Sequence, residues 1–282
     1  MSDSRSSRPY LESPRHPLVK ELRRLLTRPA ERRARRQWVV EGPRLIEDAL
    51  RAGLVVRHLL VARRLAEAQG GGDVTAALIA EVERQGGRVS LCSDRIVSLL
   101  ADTAHPQGVI ALVEGELPAL PPPDRLRPPI LMLDGVQDPG NVGTILRSAA
   151  AAGVGAVVLD AGCADLSHPK VIRASAGAVF RVPAARLTEP GALPTLARQL
   201  RGRGWQVLGL EAHGGVPYHT AALDGPVALV AGSEARGIAP ELAAECSGML
   251  TIPLAGGVES LNVAAAVAVV LFEAARQRAG RG

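Results

Sequence analysis

Three short polar clusters interrupt an otherwise apolar carboxy-terminal half, and each follows a run of residues that favour strands. The first, behind Ile-Leu-Met-Leu-Asp, is Gly135-Val-Gln-Asp-Pro-Gly140-Asn141-Val-Gly143-Thr-Ile-Leu-Arg147-Ser148. A glycine-rich turn that opens a helix near Asn141 leaves backbone N–H groups free, and such groups attract anions. Arg147 adds a fixed cation about 1.7 turns further on, so it and Asn141 need not share a face. The second cluster, Gly232-Ser233-Glu234-Ala235-Arg236-Gly237-Ile238, sets an acid between two glycines at the tip of a buried strand. The third, Leu254-Ala-Gly256-Gly257-Val-Glu259-Ser260-Leu261-Asn262, sets Ser260 and Asn262 on the lip of a very apolar helix. Each has a plain structural role open to it: an N-cap and a surface arginine, a glutamate capping the next helix, a Ser or Asn cap. Three such clusters at three expected strand ends form a candidate constellation.

The common nucleotide and hydrolase signatures do not fit. Gly153-Val-Gly155 precedes a strand, so it is not a dinucleotide fingerprint. Gly232 to Gly237 has the GxxxxG spacing, but Ile238 stands where a phosphate-binding loop needs lysine. Ser233 has no GxSxG elbow, and His213 and His219 have no partner set for a metal. Cys92, Cys163 and Cys246 lie far apart with no CxxC pair, which argues against a disulfide framework or a zinc site and for a reducing cytoplasm.

The elements that must hold these clusters alternate along the chain. Apolar runs at 130–134, 156–159, 178–183, 205–210, 227–232 and 249–253, with helices between them, predict a parallel sheet covered on both faces. A last helix is expected over about 262–278. Ligands in such sheets sit at the carboxyl ends of the strands. The amino-terminal half reads as a smaller α/β unit. Helices are expected near 15–26, 42–52, 73–85 and 93–101, and strands at Trp38–Val40, Val55–Val61, Arg88–Leu91 and Val109–Val113. Gln69–Asp73 reads as a loop. The division is then a disordered tail over 1–12, a domain over 13–114, a proline-rich linker over 115–129 and a second domain over 130–282.

Composition narrows the function classes. Apolar residues make up 47% of the 282 residues and charged residues 22%, which suits a folded globular chain. Aromatics are only 2%, which argues against binding single strands by stacking bases on a sheet. The longest charge-free apolar run, Val263–Phe272, is half a membrane span, and the first residues carry no secretory h-region. The net charge of +5 is uneven: residues 1–36 carry +7 and the remainder −2. Within that leader, Leu18, Leu22, Leu25 and Leu26 mark one helical stripe, and arginines occupy the rest. Arg23, Arg24, Arg32, Arg33, Arg35 and Arg36 are candidate phosphate contacts; a solvated face in a lysine-poor chain accounts for them equally well.

At this point the motifs resemble a known family. NVGTILRSAAAAGV, LVAGSEARGI and IPLAGGVESLNVAAAVAVVLFEAARQR are similar, in order and spacing, to the three motifs of the SpoU/TrmH-type RNA 2′-O-ribose methyltransferases of the SPOUT superfamily. VVEGPRLIEDAL and LADTAHPQGVIALVE resemble, more loosely, the L30e-like substrate-binding domain often attached to it. The resemblance implies an α/β chain with a carboxy-terminal SPOUT domain, a parallel sheet and a deep trefoil knot, which is a rare exception to unthreaded topology. It implies S-adenosyl-L-methionine as cofactor, held at Gly232, Ile252 and Leu261, with Leu210 and Glu211 adding contacts. It implies a cytoplasmic homodimer with the site near the subunit interface and no metal. Arg147, Asn141, Glu234, Ser260 and Asn262 match the family's functional polar residues.

The implied substrate is a ribose 2′-OH, in 23S rRNA ahead of tRNA; a non-catalytic RNA-binding or ribosome-assembly protein of the same fold is the alternative. Self-protection against a ribosome-targeting antibiotic is also open. One departure stands out: the third motif usually reads SLNVS, and here Ala264 replaces the final serine. The family's proposed base is the arginine matching Arg147. A free guanidinium is effectively never deprotonated in proteins, so Arg147 is expected to act first as a cation on phosphate and developing alkoxide, with that phosphate or a transiently neutral Arg147 then taking the proton.

Overall fold

Strands with no exposed residue need a neighbour on each edge and a layer on each face. Ile130–Leu133 (β6), Ala156–Leu159 (β7) and Val227–Ala231 (β11) are buried at every position, and they occupy the middle of a seven-stranded sheet. The computed structural model describes residues 8–67, 72–101, 103 and 105–280, in two units.

The first unit spans residues up to Glu116 together with 167–173. In order it holds β1 (Tyr10–Leu11), α1 (Pro17–Thr27), α2 (Pro29–Arg35), β2 (Gln37–Glu41), α3 (Pro43–Arg51), β3 (Val55–Ala62), α4 (Arg63–Glu67), α5 (Gly72–Arg84), β4 (Arg88–Cys92), α6 (Asp94–Leu100) and β5 (Val109–Glu114). Its sheet runs β1-β4-β3-β5-β2, parallel at β1/β4 and β3/β4 and antiparallel at β3/β5 and β2/β5. The leucine stripe works as its spacing predicts. Val19, Leu22 and Leu25 are fully buried beside Leu60, Ile96 and Leu112. Each such side chain contributes about 1.5–3 kcal/mol of transfer free energy.

The tail expected over 1–12 is corrected from residue 8 onward. Tyr10 and Leu11 pair with Leu91 and Cys92, and Arg8 bonds Glu83, so a two-residue segment borrows its order from β4. Residues 1–7 and 68–71, which include part of the tail and of the Gln69–Asp73 loop, lie outside the described residues.

The second unit spans 117–166 and 174–280 of the described residues. It holds β6, α7 (Pro139–Ala151), β7, the end of α8 (Pro169–Ala174), β8 (Ala184–Arg186), α9 (Ala192–Arg201), β9 (Gln206–Leu210), β10 (Val216–Pro217), β11, α10 (Pro240–Ala243), β12 (Gly248–Thr251) and α11 (Val263–Ala279). The sheet order is β10-β12-β9-β11-β6-β7-β8, with every pairing parallel. Strand order reverses between β6 and β11, and the crevice beyond the carboxyl ends of two such strands is where an open parallel sheet holds its ligand.

The proline-rich stretch 115–129 has neither helix nor strand, but from Leu117 it belongs to the second unit. Leu120 and Leu126 pack into that unit's core, so the stretch is not a free spacer. The apolar run expected as a strand over 178–183 is instead a 3-10 turn at Ala178–Phe180, with the strand displaced to Ala184–Arg186. Gly177 at φ +78° starts the turn, and Val179 and Phe180 are buried by packing, not by pairing.

Candidate active site

Asp138 is the N-cap of α7; its Oδ1 accepts from the Asn141 backbone N–H at 2.9 Å. With the helix start thus satisfied, the Asn141 side chain is free for other partners. Glu234 follows β11 on the other side of the crevice, within a turn pinched shut by reciprocal Ser233–Gly237 backbone bonds of 3.1 and 2.8 Å. A Cβ on Gly232 would collide with the Gly237 carbonyl, so this pinch requires glycine there. Asn262 is the N-cap of α11, and its Oδ1 accepts from the Ala264 and Ala265 N–H groups at 3.0 and 3.3 Å.

These three residues form one network. Glu234 Oε1 accepts from Asn262 Nδ2 at 2.8 Å, from Asn141 Nδ2 at 3.2 Å and from the Val263 N–H at 3.2 Å. Asn262 Nδ2 also donates to Asn141 Oδ1 at 3.0 Å. The carboxylate therefore sits at the amino end of α11, where the helix dipole favours a negative charge. Among the described residues Glu234 Oε2 has no hydrogen-bond donor, which leaves it for a ligand. The capping role open to Glu234 is realised on α11, not on α10, the helix that follows it in sequence.

Beside this network the carboxyl ends of β9, β11 and β12 enclose a cavity of about 470 Å³. Leu210, Glu211, Gly232, Ile252, Ser260 and Leu261 all line it, so the expected cofactor positions come together on one wall set. Met249 of β12 and Leu254, three residues beyond that strand, line it as well and were not foreseen. A second cavity of about 160 Å³ lies between Gly135–Asn141 and Ser233–Arg236. Arg236 lines both and is the cation that sequence reasoning passed over, although it stands in the same turn as Glu234.

Two further carboxyls fix the loops around the cavities. Asp134 accepts from the Ala239 N–H at 2.6 Å, and burial pushes its carboxyl above the usual range. Burial pushes Asp160 the same way, but hydrogen bonds from Gly135, Cys163 and Gly162 outweigh it and hold that carboxyl low. Asp160 thereby fixes the Gly135 turn, through a 2.9 Å bond.

Arg147 is not in either cavity of its own chain. It is exposed on α7, with no side-chain partner among the described residues. Of the six arginines expected to meet phosphate, Arg32 must be withdrawn. It is 1% exposed, and its guanidinium donates to Leu25 O at 2.7 Å, Leu26 O at 3.2 Å and Ser167 Oγ at 3.0 Å. It satisfies the open carbonyl end of α1, a favourable place for a cation. Arg24 bonds Glu31, Arg35 bonds Glu21, and Arg36 bonds Glu116; Arg23 and Arg33 are exposed. Among the described residues no group of three or more His, Cys, Asp or Glu is placed to hold a metal, and no helix is long and apolar enough to cross a membrane.

Comparison with known proteins agrees with this arrangement. Residues 128–272 match the SpoU rRNA Methylase family, and residues 16–111 match the MRM3-like substrate binding domain. The chain is 31% identical to the 23S rRNA (guanosine(2553)-2′-O)-methyltransferase RlmP of Bacillus subtilis, over 93% of this chain and 97% of that one. It is 38% identical to the 23S rRNA (guanosine-2′-O-)-methyltransferase RlmB of Xanthomonas axonopodis pv. citri, over 72% and 84%. Among solved structures, the AdoMet-bound rRNA methyltransferase of Sinorhizobium meliloti superposes with a TM-score of 0.78 at 32% identity, covering 95% of this chain and 97% of that one.

Proposed function

Since this chain belongs to the SpoU rRNA methylase family, we propose that it transfers a methyl group from S-adenosylmethionine to a ribose 2′-hydroxyl of 23S rRNA. One observation carries the reading: three clusters far apart in sequence meet on Glu234 Oε1, at the rim of a cavity walled by the expected cofactor positions.

The residues present fit that cofactor. Leu210, Ile252, Leu254 and Leu261 offer apolar walls for a purine and a thioether, while Glu211, Ser260 and Glu234 offer polar edges. When bound, the group supplies a methyl already activated by its sulfonium, with a neutral thioether as leaving group. The chain's own task is then to place the 2′-oxygen in line, an effect worth up to about 7–11 kcal/mol. Glu234, Asn141 and Asn262 brace the loops that do so, because each is held by the other two. Ser260 sits on the same lip and orients the bound group.

Arg147 acts as a cation. It clamps the phosphate next to the reacting hydroxyl and stabilises the alkoxide that develops there, and the proton passes to that phosphate. Its exposed position, outside its own chain's cavities, supports a homodimer in which it serves the cavity of a second copy. On the same unit Val269 and Phe272 of α11 stay 37% and 51% exposed, an apolar stripe of the kind that subunits cover. The family's knot belongs to the same reading: the last strand, β12, lies between the earlier β10 and β9, and α11 returns onto α7.

Two measurements test this. Tritiated methyl transfer to a 23S rRNA transcript, with the product mapped, should place the mark on a ribose 2′-oxygen; transfer to a base, or none, overturns the reading. Arg147→Ala and Glu234→Ala should each be inactive as pure dimers and regain activity when mixed, because a hybrid dimer keeps one intact site. Absence of S-adenosylmethionine binding in calorimetry would point to a non-catalytic RNA-binding protein instead.

A further inference from the structure

Both cavities are acidic. Glu211 and Glu234 line the larger one, and Asp138 and Glu234 line the smaller, with Asp134 behind it. Among the described residues Arg236 is the only cation lining either. Its guanidinium makes no hydrogen bond or ion pair there with any described residue. The guanidinium reaches over the Gly135 turn: Arg236 Nη2 stands 3.8 Å from where a Cβ on that glycine would be.

Carboxylates suit the larger cavity to a ligand bearing a sulfonium and an ammonium. They make the smaller one hostile to any anion except at Arg236. On the reading above, a nucleotide within an RNA strand must enter beside them, and it carries a phosphate on each side. Arg147 is assigned the phosphate next to the 2′-oxygen. We propose that Arg236 receives the other, the 5′-phosphate of the target nucleotide, and so sets the depth to which that nucleotide enters the 160 Å³ cavity. This rests on the proposed function and adds to it a binding residue that none of the three motifs' matched positions includes. Gln137, exposed on the same wall, is placed to meet the nucleotide beyond the phosphate.

The test compares Arg236→Ala, Arg236→Gln and Arg236→Lys in the full chain. Donor affinity is read by calorimetry, KM and kcat on a 23S rRNA transcript, and RNA affinity in a salt series. Arg236→Ala and Arg236→Gln should raise the RNA KM about tenfold or more, because the phosphate loses its partner, and leave donor affinity within about twofold, because the larger cavity keeps its carboxylates and apolar walls. The plot of log affinity against log salt should become shallower by about 0.7, the loss of one single-strand phosphate contact. Arg236→Lys should restore the slope and most of the KM, since a point charge suffices for a single phosphate. A merely structural role would lower donor and RNA binding together and would not be rescued by lysine. Donor affinity falling tenfold with an unchanged salt slope overturns the proposal, and so does an unchanged KM. A wild-type chain that binds RNA but transfers no methyl overturns the proposed function alone, since the salt slope with and without Arg236 still decides this inference.

Discussion

The two arginine-bearing regions of the molecule differ in how their charges are held. Around β6, β11 and α11, one carboxylate gathers donors from residues 93 and 28 positions away, and the guanidinium groups of Arg147 and Arg236 make no hydrogen bond or close ion pair among the described residues. Along α1 and α2 the opposite holds. Arg24, Arg28 and Arg35 share Glu31, Arg35 also takes Glu21, and Arg32 is buried. A count of charges exaggerates the second region as a nucleic-acid surface and says nothing of the first. What marks a functional cation is that its own fold has not neutralised it.

Substitutions can break that contrast or sharpen it. Arg147→Ala should lower kcat by about 10²–10³-fold with the melting temperature unchanged, because an exposed side chain without partners does little for stability. A comparable fall in stability would mean that Arg147 is structural and the contrast false. Arg32→Ala should do the reverse. It strips a buried carbonyl, a half-buried one and the Ser167 hydroxyl of their donor, at about 3 kcal/mol of stability, and specific activity at low temperature should survive. Denaturant titration alongside a methyl-transfer assay separates the two outcomes.

Glu234→Gln keeps the shape of the network and removes its charge. An expected loss of about tenfold in kcat/KM, with a smaller loss of stability, would place its role in positioning. Asp160 gives a pH signature. Its carboxyl is held low in the folded chain, so its contribution is complete above the ordinary carboxylate range and disappears as pH falls through the lowered value. Asp160→Asn should flatten the acid limb of the stability profile, read from denaturant titrations at a series of pH values. The smallest effects belong to the paired cations. Arg24→Ala and Arg35→Ala should alter RNA affinity by less than about twofold, and Arg23→Ala by more. Equal effects would show that ion pairing on α1 and α2 does not mask charge from RNA.

The sequence was legible wherever structure is local. The Leu18–Leu26 stripe, the buried runs at 130–134 and 227–232, and the apolar length of α11 each carry their period with them. It was illegible where a partner lies far along the chain. Arg32 looked like its neighbours because nothing at positions 29–36 reveals that Ser167, 135 residues on, completes its cage. Tyr10–Leu11 is a strand only because β4 is there to pair with it, and the run at 178–183 breaks its strand pattern at a left-handed glycine. In the site, the three clusters could be found singly, but their meeting on one oxygen depends on the strand order β9-β11-β6.

Asn262 is both the first brick of the final helix and a hand on the carboxylate, and a single amide group carries the two duties. Aspartate, an equally good helix starter, would set a second negative oxygen where nitrogen now stands 2.8 Å from Glu234. Serine could begin the helix too, yet its one hydroxyl could not serve oxygen-side and nitrogen-side neighbours alike. The choice of residue at this position is therefore narrow for two reasons at once, and a protein engineer who stabilises the last helix by recapping it will disarm the site in the same stroke.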